Sequence, residues 1–437
     1  MKPEKTTLRA VEGTKDIFGV EMNRFQRIMK TAAAIFGRYG YSAIATPTFE
    51  HTALFARGIG EATDIVEKEM YTFTPGSDTI TLRPEGTAGV VRAYLQHNMH
   101  REQGFVKLWY AGPMFRRERP QKGRQRQFHQ IGVEAIGASN AILDAETIRM
   151  ALDFFDGVGV TGVVTKINTI GCMKPECRPA FREKLRAAIA PRLGELCKTC
   201  QGRFERNILR IIDCKNPECQ KVRATLPRCD EHLCDECNTH HAAVQEALTA
   251  FGVPFEVNPY IVRGLDYYNK TVFEFSHPAL GAQDAIGGGG RYDGLVEELG
   301  GPVTPAVGFA IGVERTLIAM EALNCCACGT VLHAYGVAVD EDCRKALAGL
   351  VIRLRHAGYN VDMDYESRSM KAQMRTADRR GAVLTLILGS DELAAGQVTV
   401  RDMREGGGQE RIAIADAIDR LGIMCQARET PCGGSAS

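Results

Sequence analysis

Apolar residues recur at helical spacing early in the chain: Phe25, Ile28, Ala32, Ile35 and Phe36 share one side of residues 21 to 39, and Gly37 and Gly40 close the run. This pattern predicts an amphipathic helix. Tyr41 to Glu50 predicts a short strand interrupted by Pro47. Such an interruption suits a sheet edge or an interface, because proline lacks the amide a central ladder needs. Lys107 to Arg116 and Gln127 to Glu134 predict two more strands. The loop between them, RERPQKGRQR, is polar and rich in turn formers, which makes the pair a long hairpin. Two later segments, VNPYIVRGLDYYNKTVFEFS and QDAIGGGGRYDGL, are strand-like with glycine punctuation. A Cys-rich, largely helical stretch over residues 165 to 255 separates them from the hairpin. Strands that neighbour in sequence without helices between them call for an antiparallel sheet, so the expected fold class is α+β.

The rhythm changes after Leu323 to Gly329 (LNCCACG). AYGVAVD, a helix from Cys343 to His356, YNVDMDY, a helix from Ser369 to Arg380 and AVLTLILG alternate strand with helix. That alternation predicts a small α/β domain. The expected plan is a core over residues 1–325 with the insert at 165–255, a second domain over 330–425, and a disordered tail over 426–437, where no core-forming pattern remains.

Composition narrows the classes. The chain has 437 residues, 44% hydrophobic and 24% charged, with a net charge of +1. No segment approaches the ~20 apolar residues that span a bilayer, so no membrane partner is expected. The start, MKPEKTTLRA, lacks the apolar region of a secretory signal. Near-neutral charge means that any nucleic-acid contact must come from local patches. Fifteen cysteines is a high and odd count. A secreted disulfide framework does not suit a chain this long without an export signal, so reduced thiols and a cytoplasmic location are expected. Within the insert, Cys197-x-x-Cys200 and Cys234-x-x-Cys237 are candidate zinc half-sites. Cys172/Cys177 and Cys214/Cys219 have wider gaps that match no standard finger, and helical cysteines also serve as small core residues.

Four polar clusters carry candidate chemistry, and one glycine pattern does not. Gly157, Gly159 and Gly162 form a G-x-G-x-x-G pattern, but it follows a helical run instead of a strand, so it marks a helix-ending loop and not a dinucleotide site. The hairpin tip holds Arg116, Arg117, Arg119, Lys122, Arg124 and Arg126 against Glu118 alone. A charged tip is often merely solvated. The flanking strand adds weight, because Phe128, Gln130, Gly132 and Glu134 share one face and His129, Ile131 and Val133 the other. The first face has the make-up of a pocket floor. In TLRPEGT, Glu85 and Thr87 point the same way if the segment is extended, although a plain turn explains it too. RGLDYY (263 to 268) and GGGGRYD (287 to 293) place Arg and Tyr beside glycines that let a ligand approach the backbone. VGFAIGVER ends in Glu314 and Arg315 ahead of an apolar helix.

Together these segments resemble the histidyl-tRNA synthetases, members of class II of the aminoacyl-tRNA synthetases. The helix and strand ending at Pro47, PMFRRERPQKGRQRQFHQIGVE and GFAIGVER resemble the three class motifs in order. RGLDYY and GGGGRYD resemble the two histidine signatures. The resemblance spans residues 10 to about 420, with the insert its least typical part. It implies an antiparallel catalytic sheet, dimerisation through the first motif, and an anticodon-binding second domain.

The resemblance also implies roles. ATP would be held by Arg116 at the α-phosphate, Arg315 at its far end and Phe128 against adenine, with Mg2+ on the β- and γ-phosphates. Arg263 would stand beside the α-phosphate and, with Arg116, act as a catalytic residue. L-histidine would be held by Glu85, Thr87 and Gln130 at its main-chain atoms. Glu134 and Tyr268 would bracket its ring, with Tyr267 and Tyr292 nearby. Arg117, Gln121, Lys122, Arg124 and Arg126 would meet the acceptor end of tRNA(His). Arg368, Lys371, Arg375 and Arg379 form a basic stripe if their segment is helical throughout, with Arg375 and Arg379 the tRNA candidates. A synthetase-like regulatory subunit of the histidine-biosynthesis phosphoribosyltransferase is the rival. Such paralogues typically lack the second domain and lose signature residues.

Overall fold

A computed structural model of the chain describes residues 8–60, 63, 65–325, 331–404 and 407–426. Its residues fall into two compact units, divided between Cys325 and Cys326. The tail from residue 427 and most of LNCCACG lie outside the described residues.

The first unit contains strands β1 (Ser42–Ala43), β2 (Phe49–His51), β3 (Tyr71–Phe73), β4 (Ile80–Leu82), β5 (Val106–Phe115), β6 (Gln127–Ile136), β7 (Val164–Thr169), β8 (Glu256–Val257), β9 (Asn269–Ser276), β10 (Ala285–Arg291) and β11 (Ala306–Gly312). Its main sheet runs β1-β5-β6-β11-β10-β9-β7-β8. The long strands from β5 to β7 pair antiparallel, and the two-residue edges β1 and β8 pair parallel. The segment expected to form one strand across Pro47 instead divides. Its first part joins the main sheet, and its second joins a small antiparallel sheet, β2-β4-β3. Pro47 lies between them, where no ladder amide is required.

One face of the main sheet is covered by helices. Ile28, Ala32 and Phe36 of the helix Gly19–Arg38 pack with Phe154, Phe155 and Val158 of the helix Ala141–Val158. Both meet Ile131 and Val133 of β6, Phe273 and Phe275 of β9 and Phe309 of β11. These aromatic rings are almost wholly buried, each stabilising the fold by about 1.5–3 kcal/mol. The Ala141–Val158 helix ends at Gly159, whose φ of +85° closes it, so the glycine pattern there is a helix stop.

Under this face lies a buried ion pair. Arg291 ends the glycine-rich β10, turns into the core and donates from Nε to Asp144 at 3.0 Å. His240 and Thr271 also reach that carboxylate, at 2.8 and 2.6 Å. Burial raises the cost of its charge, but His240 and Arg291 hold it below the usual carboxylate range.

The insert begins later than the sequence pattern suggests, because residues 165–169 belong to β7, a strand of the main sheet. Beyond it run the helices Arg178–Ile189, Lys198–Arg206, Pro217–Arg223 and Asp235–Ala250.

The second unit has a five-stranded sheet of β12 (Ala334–Ala338), β13 (Val361–Met363), β14 (Leu384–Leu388), β15 (Gln397–Asp402) and β16 (Gln409–Ala413), in the order β13-β12-β14-β15-β16. The first three strands are parallel, and helices Glu341–His356 and Met370–Arg379 follow the first two in sequence, as α/β alternation requires. The sequence pattern did not pick out β15, β16 or the closing helix Ala417–Gln426.

Candidate active site

The uncovered face of the main sheet floors a cleft of about 300 Å³. Alternation along β6 decides what reaches it. Phe128, Gln130 and Glu134 line the cleft, while Ile131 and Val133 point into the helix-covered core. Strands β10 and β11 continue the floor with Gly287, Gly288, Gly308 and Gly312. The walls come from Glu85 and Thr87, from Arg263 to Tyr268, and from Tyr292, Glu314 and Arg315.

Glu134 is a deeply buried carboxyl group of the cleft floor. It is 1% exposed and accepts hydrogen bonds from the hydroxyls of Thr87, at 2.7 Å, and Tyr292. Burial pushes its carboxyl up to about 8; the two hydroxyls oppose this, and neighbouring Glu85 adds to it. A carboxyl poised there can donate to or accept from a ring nitrogen at neutral pH. Tyr267, Tyr268 and Tyr292 enclose the same space, with ring centroids 4.6 and 5.6 Å apart for the successive pairs Tyr268–Tyr267 and Tyr267–Tyr292. Burial pushes all three phenols up, so they are neutral hydrogen-bonding groups at physiological pH.

Glu85 and Thr87 meet for a reason other than extended alternation. Thr87 starts the helix Thr87–Gln96, and Glu85 accepts from the amides of Thr87 and Ala88 at 2.7 and 2.8 Å. The carboxylate satisfies two of the helix's orphan donors. Each oxygen retains a further lone pair for a cation in the cleft. Burial pushes the Glu85 carboxyl up, against those two amides.

Three guanidinium groups line the same cavity. Arg116 donates from Nε to the carbonyl of Pro84 at 2.9 Å, and its guanidinium carbon lies 5.3 Å from the centroid of the Phe128 ring. Arg315 is held by the carbonyls of Gly123, at 3.1 Å, and Ala285. Arg263 reaches Glu274 at 3.5 Å and passes over Gly288, where a Cβ would lie 2.7 Å from its Nη1. The glycine run therefore makes room for this arginine. Within it Arg291 faces the Asp144 core, not the cleft.

Three buried polar atoms lining or facing this cavity have no hydrogen-bond partner among the described residues: Tyr110 Oη, Gln130 Oε1 and Arg263 Nε. Buried polar groups are rarely left so, and these are the groups a polar ligand would satisfy. Tyr110 escaped the sequence reading. Its ring fills the gap over Gly132, which it opposes in the β5–β6 register, and a Cβ there would fall 2.2 Å from the ring. Counting the hairpin register outward from its tip would have found it.

The remaining candidates scatter. Arg117, Gln121 and Arg124 line a shallower hollow beside the cleft, and Arg124 borders both. Lys122 lies with Lys15 and Arg24 in another. Arg126 folds back on the N-terminal segment, donating to the carbonyl of Glu12 at 3.2 Å, so it is not part of an open tip. In the second unit the helix begins at Met370, so Arg368 precedes it and pairs instead with Asp364. Lys371, Arg375 and Arg379 remain as an exposed stripe on that helix. Cys197/Cys200 and Cys234/Cys237 do not share a site: each pair belongs to a different cluster, completed by one of the wider-spaced pairs.

A sheet with one helix-packed face and one face given to a polar, arginine-lined cleft, followed by a small α/β unit, is the architecture of a class II aminoacyl-tRNA synthetase. Comparison with known proteins refines this. The family model described as Histidyl-tRNA synthetase matches residues 13–316, and one described as Anticodon binding domain matches residues 333–422. Histidine–tRNA ligase of Moorella thermoacetica is 49% identical over 413 residues, covering 93% of this chain and 96% of its own. The crystal structure of apo S. aureus histidyl-tRNA synthetase superimposes with a TM-score of 0.79 at 34% identity, covering 95% of this chain and 100% of that one. The chain belongs to the histidyl-tRNA synthetase family, and it is an enzyme. A Bacillus halodurans structure described as an ATP phosphoribosyltransferase regulatory subunit/histidyl-tRNA synthetase is 19% identical, with a TM-score of 0.59 over 83% of this chain and 93% of that one. It shares the fold alone, so the regulatory reading gains nothing further from it.

Proposed function

We propose that this cleft activates L-histidine with ATP, forming histidyl-adenylate and pyrophosphate, and then passes histidine to the terminal ribose of tRNA(His). The observation that carries the reading is that one cavity gathers every residue assigned to histidine and to ATP. The histidine carboxylate is already a nucleophile, so the site needs no strong base. Its work is to hold the reactants in line and to neutralise phosphate charge. Arg116 and Arg263 suit the α-phosphate, since their forked donors stay charged and grip oxygens in pairs. Arg315 takes the far end of ATP, and Phe128 offers adenine a stacking face. The carboxylates of Glu118 and Glu314 in the same cavity are oxygen ligands of the kind magnesium prefers; they would hold the ion, which would offset the charge of the β- and γ-phosphates.

On the amino-acid side, Glu85, Thr87 and Gln130 take the α-amine and main-chain atoms. Glu134 and Tyr268 take the imidazole, within the wall completed by Tyr267 and Tyr292. An amino acid without matching polar atoms would leave buried partners unpaired, a discrimination of about 10⁴–10⁵ that makes an editing site unnecessary.

Arg117, Gln121, Lys122 and Arg124 border hollows beside the cleft and are the acceptor-end contacts, while Arg375 and Arg379 contact the anticodon arm. The partner arrangement is a homodimer through the first motif, supported by the exposed Phe18, Val20, Phe49 and Phe73 on and around that segment and its small sheet. No helix among the described residues is long and apolar enough to cross a membrane, in keeping with work in the cytoplasm. The test is aminoacylation of tRNA(His) transcript with each amino acid in turn. Charging with histidine alone supports the reading, and charging with another amino acid, or with none, removes it.

A further inference from the structure

Eight of the insert's cysteines gather into two quartets, whose sulfurs lie within 4.8 Å of one another in each. One is Cys172, Cys177, Cys234 and Cys237; the other is Cys197, Cys200, Cys214 and Cys219. Each combines one Cys-x-x-Cys pair with one pair spaced by four residues, taken in opposite chain order. Core packing of small residues gives no reason for thiols to segregate in fours twice.

The distances discriminate between chemistries. Cys172 and Cys234 sulfurs are 3.7 Å apart, and those of Cys197 and Cys214 are 4.0 Å apart. A disulfide needs ~2.05 Å. Thiolates at the corners of a tetrahedron around one zinc ion, with Zn–S of ~2.3 Å, stand ~3.8 Å apart. The quartets are too tight for a multi-metal cluster and match a single ion.

The surroundings favour negative charge on sulfur. Cys177, Cys197 and Cys234 each precede a helix, at the end where the dipole favours an anion. The amide of Cys172 donates to the Cys177 sulfur at 3.3 Å, and that of Cys197 to the Cys219 sulfur at 3.2 Å. At Gly171, with φ +66°, a Cβ would fall 2.7 Å from the Cys177 sulfur, so the backbone comes close enough to enclose it. Arg178, beside the first quartet, is 6% exposed and donates to the carbonyls of Ile170, Gly171 and Tyr268. It makes no ion pair with a carboxylate among the described residues. A buried guanidinium without a carboxylate calls for a different anion nearby.

We propose that the insert holds two structural zinc ions, one in each quartet. Each ion displaces four thiol protons to solvent and leaves a tetrathiolate site of charge −2. The need is physical: the insert's own apolar cluster, around Phe181, Leu185, Ile189, Phe204 and Ile211, is small, and small units of this kind need staples. The first ion ties the chain leaving β7 to the start of the helix Asp235–Ala250. The second fixes the helix Lys198–Arg206, after which Asn207 donates to Asp266 at 2.6 Å. Arg178 reaches Tyr268 from the other side at 2.6 Å, so both sites brace the loop of residues 263–268.

The test is metal analysis of the full chain purified without chelator, with zinc as the probe. Two zinc ions per chain are expected, falling to one in the double variant Cys172→Ser/Cys177→Ser and to one in Cys214→Ser/Cys219→Ser. Should either variant fail to fold, the wild-type protein still decides. An organomercurial should release two zinc ions as eight thiols react, and replacement by cobalt should give sulfur-to-cobalt charge-transfer bands of a tetrathiolate site. Zinc well below one ion per chain without those cobalt bands, iron in place of zinc, or a mass lowered by disulfide formation would each overturn the proposal.

Discussion

The cleft and the cysteine-rich insert both crowd reactive side chains together, but their frameworks differ. In the cleft, side chains stand on a broad antiparallel sheet whose far face is fixed by buried aromatic rings and by the Arg291–Asp144 pair. That frame is complete without a ligand, so it can hold Tyr110, Gln130 and Arg263 with buried atoms unsatisfied. In the insert the reactive groups are themselves the framework, because short helices meet around two knots of sulfur. A site that must turn over keeps its unsatisfied groups on a rigid scaffold, whereas a site that must hold satisfies its groups permanently.

Four variants sharpen that contrast, and the largest effect falls on the frame. Asp144→Ala leaves the buried Arg291 with Asp293, at 3.3 Å, in place of two carboxylates, strands His240 and Thr271 as well, and should cost about 3–5 kcal/mol in urea unfolding. A loss near zero would mean that the sheet is held by packing alone. Next comes the cleft itself: Arg263→Gln should lower the rate of adenylate formation by about 10²–10³-fold, with thermal stability little changed. A comparable drop in Tm would instead make Arg263 part of the frame.

Glu134→Gln tests whether a cleft group works against stability. The Glu134 carboxyl titrates at about 8 in the folded chain against an ordinary 4.5, so its contribution is full below 4.5 and is lost as pH rises through 8. The Gln variant lacks that loss. Its Tm relative to wild type should climb from pH 4.5 to 8 and then level off. Its kcat/KM for histidine should fall by about 100-fold, as the cost of one unsatisfied buried hydrogen-bonding group, about 1–3 kcal/mol, allows. A flat Tm difference across that range would contradict the buried, proton-holding carboxyl. The smallest effect belongs to the second unit. Replacing Arg375 and Arg379 together with Ala should raise KM for tRNA by about tenfold and reduce the salt dependence of charging by about two phosphate contacts. Unchanged salt dependence would make the stripe inert.

The contrast also explains what the sequence made legible. Period-2 alternation on β6 separated pocket from core correctly, because a strand in a sheet has only two faces. The helix–strand rhythm likewise marked out β12 to β14 of the second unit. Tyr110 was missed because it enters the cleft through cross-strand register, which no single segment displays. Arg291 was grouped with a ligand-facing cluster, yet its partner Asp144 is 147 residues away, a pairing that only the fold creates. The cysteines are a partial case: all four pairs are visible in the sequence, but not which closes with which, since Cys197/Cys200 takes the nearby Cys214/Cys219 while Cys234/Cys237 takes the remote Cys172/Cys177.

Activation of histidine in the cleft depends on imidazole recognition and triphosphate binding meeting in one cavity. Exchange of labelled pyrophosphate into ATP, measured with each amino acid in turn and without tRNA, addresses this directly. The account predicts exchange that depends on histidine and is lost in Arg263→Gln. Exchange driven equally by other amino acids, or none with histidine in a folded protein, would contradict it.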